Sequence, residues 1–86
     1  MAEKWLVASA DVSLPGTWND GTLPLSGDDC FPNGFFGEIS SDFTVNSLSN
    51  KAGTTAVEGG QFFVFDLAQI NVNANISTGS IQSCLN

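Results

Sequence analysis

The residues of this chain that could take part in chemistry are few, and the commonest catalytic base is absent. The 86 residues include two cysteines, nine Asp and Glu residues and no histidine. Nucleophilic catalysis by Ser or Cys ordinarily needs a neighbouring His as its general base. A zinc site of the usual kind needs His or several Cys ligands. We therefore expect a protein that is not an enzyme and that uses no cofactor.

Both cysteines lie in apolar sequence contexts, as Cys30-Phe31 and Cys84-Leu85. A reactive thiol usually has Lys, Arg or His nearby to lower its pKa, and neither cysteine has such a neighbour in sequence. Two interpretations remain open. The cysteines are buried small apolar residues, or they form a Cys30–Cys84 disulfide.

Acidic residues in turns offer the one plausible metal site. The adjacent pair Asp28-Asp29 could serve a glycosidase, but a chain this small has little room for a sugar cleft between two carboxyls. Calcium prefers oxygen ligands such as those of Asp20, Asp28, Asp29 and Asn33. Their spacing fits neither an EF-hand nor a Gly-Gly-x-Gly-x-Asp repeat. We therefore interpret these side chains as caps of turns and predict no metal.

The charge of the chain disfavours two classes of partner. Two Lys residues against nine acidic ones give a net charge of −7. Nucleic acids and anionic membrane surfaces both attract basic patches, which two lysines cannot form. The apolar run near the start, Trp5-Leu6-Val7-Ala8, is too short for a signal peptide or a membrane span. We expect no nucleic-acid or membrane partner.

Short strands must position these residues. Apolar residues do not recur at helical spacing over any long window, whereas Val, Ile, Phe and Thr form short groups between turns such as Pro32-Asn33-Gly34 and Glu58-Gly59-Gly60. The pattern predicts an all-β fold, with short strands in a small β-solenoid-like or β-sandwich domain. The predicted strands are 35–39, 43–48, 54–57, 61–66, 70–77 and 81–85.

The ends of the chain differ in pattern. Residues 1–14 show no clean amphipathic face, and we interpret them as an extended N-terminal arm, with an ordinary edge strand as the alternative. Residues 15–86 form a single β-domain. A core this small gives marginal stability, so a disulfide or oligomerisation is expected to supplement it. Our preferred assembly is a homotrimer.

One segment resembles a known group of proteins. Residues 18–29 read Trp-x-x-Gly-x-x-Pro-x-x-Gly-Asp-Asp, which resembles the opening seen in β-solenoid surface proteins and in small virion proteins of marine tailed phages. Segments similar to Phe43–Leu48 and Ala52–Val57 follow it there. Cys30 stands where an aliphatic residue would be expected, which suggests a core position. The resemblance implies a virion structural protein, assembled in the host cytoplasm.

Two functions fit this resemblance. The first is a capsid decoration or cement protein, which binds the major capsid protein and stabilises the shell. The alternative is a tail or fibre module that binds a host surface glycan, with Trp18 stacking on sugar. The row Asn71, Asn73 and Asn75 would then bind hydroxyls, although it equally suits the solvent side of a strand. Trp18 could equally pack over the core. The candidate interface residues are Trp5, Leu6, Val7, Trp18, Phe62, Phe63 and Phe65.

Overall fold

The computed structural model describes residues 3–83, and its regular structure is almost entirely strand. The only helices in this range are two 3-10 turns, at Pro15–Thr17 and Leu67–Gln69. The all-β prediction is confirmed. The strands are β1 (Glu3–Trp5), β2 (Asp29–Phe31), β3 (Phe36–Ile39), β4 (Phe43–Val45), β5 (Ser47–Leu48), β6 (Gln61–Val64), β7 (Ile70–Val72) and β8 (Ile81–Ser83).

Every pairing between these strands is parallel. They form three sheets, which we call sheet I (β1-β2-β5), sheet II (β3-β6-β8) and sheet III (β4-β7). The chain visits them in the order I, II, III through β2, β3 and β4, and again through β5, β6 and β7. We call residues 3–28, which precede β2, the first pass of the chain. The circuits β2–β4 and β5–β7 are the second and third passes. Isolated parallel bridges extend the order, from Asp11 to Glu38 in sheet II and from Leu48 to Ile76 in sheet I.

The core lies between the three sheets and centres on aromatic rings. Trp18 is 1% exposed, and its ring stacks against Phe43 and Phe62 at centroid distances of 6.1 and 6.5 Å. The indole N–H donates to the backbone oxygen of Val12 at 2.9 Å, so the buried polar atom of the ring is satisfied. Buried Gly37 gives these rings room, since a Cβ there would lie 2.9 Å from Phe62.

The N-terminal segment belongs to this domain and does not extend from it as an arm. β1 pairs in parallel with β2, placing Lys4 opposite Cys30. Leu6 and Val12 are 0% and 3% exposed. Burying two aliphatic side chains of this size is worth about 3–6 kcal/mol, which a free arm would forgo. The arrangement is the edge strand that the sequence left as the alternative to an arm over residues 1–14.

Residues 43–48 form two strands instead of the continuous strand that the alternation predicts. Phe43 and Val45 point inward as expected, but the chain turns at Asn46. The backbone N–H of Asn46 donates to the backbone oxygen of Asp28 at 2.8 Å. Beyond this corner β5 joins sheet I and buries Leu48, while Ser47 is half-buried. The corner therefore shifts the inward face by one residue.

Two other predicted strands also differ from the structure. Residues 54–57 are not a strand; they lie in a turn that the Gly53 amide closes on the Ala56 oxygen at 3.0 Å. The strand predicted over residues 70–77 is limited to Ile70–Val72. The amide of Ala74 donates to Asn46, so the chain follows the corner of the previous pass and bends away from sheet III. The last two residues of the predicted strand 81–85 lie outside the described residues.

Candidate interaction surface

The start of the Trp-x-x-Gly-x-x-Pro-x-x-Gly-Asp-Asp segment is held against β1 by a buried cation. The ammonium group of buried Lys4 donates to both carboxylate oxygens of Asp20, at 2.6 and 2.8 Å, and to the Thr22 hydroxyl at 2.6 Å. These hydrogen bonds, first that from Lys4, lower the pKa of Asp20 to about 2. Asp20 is therefore the partner of a buried cation, and its turn is fixed in place two residues after Trp18.

The adjacent carboxylates Asp28 and Asp29 serve different turns. Asp28 accepts from the backbone amide of Leu25 at 2.8 Å and closes the turn before β2. Asp29 accepts from the Asn46 amide group at 2.7 Å and from the Ser47 hydroxyl at 2.6 Å. The bond from Ser47, followed by that from Asn46, lowers the pKa of Asp29. The two carboxylates thus act as separate structural acceptors.

Asn33 links three passes of the chain. Its backbone has a positive φ of 56°, which Asn tolerates better than most residues. Its side chain donates to the backbone oxygen of Leu6 at 3.0 Å and accepts from the amide of Val57 at 2.7 Å. The calcium candidates are therefore engaged at separate places. Within residues 3–83, no three His, Cys, Asp or Glu side chains are grouped so as to hold a metal ion.

Cys30 lies in the core between Lys4 and Leu48, its register partners in β1 and β5. It is 0% exposed. Burial, followed by the nearby charges of Asp28 and Asp29, raises the pKa of its thiol. A buried thiol that stays protonated is a poor nucleophile. Cys84 lies outside the described residues, so the Cys30–Cys84 disulfide stays a prediction.

Three of the predicted interface residues belong to the core. Leu6, Trp18 and Phe62 are at most 1% exposed, so none of them is available to a partner on the folded domain. The run Phe62-Phe63-Val64-Phe65 alternates in β6, with Phe62 and Val64 inward. The remaining predicted residues reach the surface: Val7 and Phe65 are exposed, and Trp5 and Phe63 are half-buried.

The outward-facing rings of Phe36 and Phe63 on sheet II, together with exposed Phe65 directly after β6, make what we call the aromatic surface. Phe36 and Phe65 are 47% and 44% exposed. The Phe36 and Phe63 rings are 5.4 Å apart and tilted by 40°. Glu38 is the exposed register partner of Phe63 and adds a carboxylate to the same side. Clustered exposed rings are typical of a protein interaction site.

Phe36 is absent from the predicted interface, although the sequence carried the signal for it. The prediction that Phe35, Gly37 and Ile39 share one side of a strand leaves Phe36 on the other side. In the structure Gly37 and Ile39 are indeed inward, while Phe36 points to solvent. The alternation places Phe36 outside, but only the parallel register brings it beside Phe63.

The features proposed for glycan binding are separated. Trp18 is buried and cannot stack on a sugar. Asn71, Asn73 and Asn75 are all exposed, and the Asn73 side chain donates to the backbone oxygen of Ser26 at 2.8 Å. The Asn row is therefore a polar surface without an aromatic platform from Trp18.

Comparisons with protein-family models, with curated proteins and with solved structures find no match to this chain. No helix within residues 3–83 has the length and apolar character needed to cross a membrane. Among the described residues, the aromatic surface is the feature whose exposed rings could meet another macromolecule.

Proposed function

We propose that this chain is a non-enzymatic structural protein of a phage virion, a capsid decoration protein that binds the major capsid protein and stabilises the shell. The observation that carries the proposal is the aromatic surface of a small acidic domain, where the contacting rings of Phe36 and Phe63 and the nearby-in-sequence ring of Phe65 remain partly uncovered. The resemblance of residues 18–29 to virion proteins supplies the biological setting.

The proposed fold within the all-β class is β-solenoid-like. Strand pairs that are all parallel, and a chain that visits three sheets in a repeated order, support this assignment over a sandwich. β-Sandwiches are built from antiparallel sheets with hairpin or Greek-key connections. Stacked repeats present extended surfaces for binding, and such a surface suits attachment along a capsid lattice.

Other properties of the domain agree with attachment as its role. The acidic side chains of the Trp18–Asp29 segment are engaged in internal hydrogen bonds, which suits a structural segment better than a catalytic one. Apolar rings with one adjacent carboxylate, Glu38, suit a partner surface that is apolar and carries a nearby basic group. The major capsid protein is the proposed partner, with neither nucleic acid nor membrane involved.

The direct test is the number and position of copies in purified particles of the encoding phage. Quantitative mass spectrometry is expected to find a fixed ratio of this chain to the major capsid protein, and a particle map is expected to show it at repeated lattice positions. Its presence only at the tail, or at a handful of copies in each particle, would contradict the proposal.

A binding test addresses the aromatic surface itself. Purified wild-type protein is mixed with shells that lack it, beside Phe36→Ser and Phe65→Ser variants. Both side chains are nearly half exposed and outside the buried core, so the variants are expected to fold and to bind at least tenfold more weakly, the loss typical of an interface hot spot of about 1.4 kcal/mol or more. Val57→Ser is the matched control, because Val57 is 59% exposed and lies outside this surface. Equal binding by all four proteins would exclude the aromatic surface as the contact.

The predicted homotrimer also stays a proposal. Small domains with limited cores gain stability from association. Light scattering with size-exclusion chromatography is expected to give the mass of three chains in the wild type. A folded monomer at all accessible concentrations would remove the trimer without affecting attachment to the capsid.

The glycan-binding alternative now depends on the exposed Asn row. An Asn71→Ala, Asn75→Ala double variant tests it on a glycan array, with binding by the wild type and loss in the variant as the supporting result. The absence of wild-type binding to any glycan would count against this alternative.

A further inference from the structure

A small pocket lies where the first pass of the chain meets the corner between β3 and β4. Its volume is about 140 Å³. Val12, Leu23 and Phe43 supply an apolar side, and Ser41, Asp42 and Thr44 supply a polar one. Pockets for drug-sized ligands are usually about 300–1,000 Å³, whereas a cavity of about 150 Å³ holds a group the size of benzene. The pocket therefore has room for a single side chain.

The charge around the pocket is negative and unbalanced. Asp42 is exposed, and its carboxylate has no hydrogen-bond or ion-pair partner among residues 3–83. No basic residue lines the pocket. Of the two lysines in the chain, Lys4 is paired with Asp20, and Lys51 is not part of the lining.

A second carboxylate stands close behind the polar side. Asp11 accepts from the Ser13 hydroxyl at 2.7 Å, and Ser13 lines the pocket. Burial alone would raise the pKa of Asp11, but hydrogen bonds from Ser40 and Ser13 lower it overall. Asp11 therefore holds a carboxylate within hydrogen-bond distance of a residue that lines the pocket.

We propose that this pocket binds the cationic side chain of an arginine or lysine from a partner protein. The aliphatic stem of such a side chain packs against Leu23 and Phe43, and its charged end pairs with Asp42 beside the hydroxyls. Long basic side chains combine an apolar stem with a charged head in this way. The proposal goes beyond capsid attachment and does not depend on it, because the pocket and the aromatic surface are made of different residues.

Nuclear magnetic resonance titration of the full chain tests the proposal with defined probes. N-acetyl-arginine amide and N-acetyl-lysine amide are added to ¹⁵N-labelled protein, and N-acetyl-citrulline amide serves as the neutral control of similar shape. The basic probes are expected to shift the amide signals of Leu23 and residues 41–44 in a saturable way. Citrulline is expected to bind about fivefold more weakly, the scale of an exposed ion pair. Equal affinity for arginine and citrulline would overturn the proposal.

Two variants separate the pocket from the general charge of the domain. Asp42→Asn keeps the shape of an exposed side chain and is expected to reduce the affinity for the arginine probe about fivefold, to the level of citrulline. Glu58→Gln removes one exposed carboxylate that does not line the pocket, and it is expected to leave binding unchanged. An equal loss in both variants would assign the binding to net charge and overturn the proposal, as would an unchanged affinity in Asp42→Asn.

Discussion

β4 and β7 are the two strands of sheet III, and they differ in burial although their sequences are alike. They lie in register, with Phe43 opposite Ile70 and Val45 opposite Val72. Phe43 and Val45 are 7% and 0% exposed, whereas Ile70 and Val72 are only half-buried. The alternation of apolar and polar residues is longer around β7, yet β7 is the less buried strand.

The difference arises from what covers each strand. Trp18, from the first pass, stacks on Phe43 almost in parallel, at an interplanar angle of 13°. Within residues 3–83, neither β4 nor β7 has a second strand partner in sheet III, so strand pairing does not account for the difference. Burial in this fold therefore depends more on what the neighbouring pass of the chain contributes than on the strand's own pattern of residues.

The largest expected effect comes from removing the cover over β4. Trp18→Ala is expected to lower the free energy of unfolding by about 3–5 kcal/mol, because it opens a cavity beside Phe43 and Phe62. Urea denaturation measures the loss, and amide hydrogen exchange is expected to show β4 becoming as exchangeable as β7. Phe36→Ala, which truncates a ring that is nearly half exposed and lies outside the core, is the control. A loss no greater than that of the control would contradict the role given to Trp18.

The second prediction compares two valines that lie side by side in register on the two strands of sheet III, Val45 and Val72. Val45→Ala is expected to cost about 1.5–3 kcal/mol, since it removes two buried methylene equivalents and leaves a cavity. Val72→Ala makes the same chemical change at a half-buried position and is expected to cost no more than about half as much. Equal losses in urea denaturation would show that the two strands are equally packed, contrary to the comparison.

The third prediction concerns the polar contacts after each strand. Asp29→Ala removes the acceptor of two hydrogen bonds from the β4–β5 corner and is expected to cost about 1–2 kcal/mol. Asn73→Ala removes one exposed bond after β7, to Ser26, and is expected to change stability by less than about 0.5 kcal/mol. Thermal unfolding of both variants measures the two costs, and a larger loss in Asn73→Ala would reverse the comparison.

The smallest expected effect is an acid dependence of stability that arises from the Lys4–Asp20 ion pair, two residues after Trp18. The pKa of Asp20 falls from 3.8 to about 2 on folding. A lowered pKa stabilises the folded state fully above pH 3.8, and this contribution is lost as the pH falls through about 2. Asp20→Asn and Lys4→Met are therefore expected to lose less stability than the wild type between about pH 4 and pH 2.

Lys51→Met is the control for this acid dependence. It removes an exposed lysine that is not the partner of Asp20. Its melting temperature is expected to follow that of the wild type across the same pH range. Identical pH profiles for Asp20→Asn and the wild type would show that the Lys4–Asp20 pair adds nothing to the folded state.

Composition and alternation are enough to predict the fold class and several local features of this chain. Absent histidines and scarce charged residues restrict the available chemistry, since side-chain chemistry is a property of composition. The alternation at Gly37 and Ile39 and the turn at Asn33-Gly34 were predicted correctly, because both depend on neighbouring residues alone. Local geometry of this kind is encoded within a few residues.

The tertiary contacts decide which apolar residues are covered and which stay exposed. Trp18 is buried because the first pass folds over β4, and Leu6 is buried because residues 3–5 pair with β2. Phe36 and Phe63 meet because β3 and β6 pair in parallel at one register. These contacts join residues far apart in the chain, and a residue's own neighbours in sequence carry no information about which distant segment will lie against it.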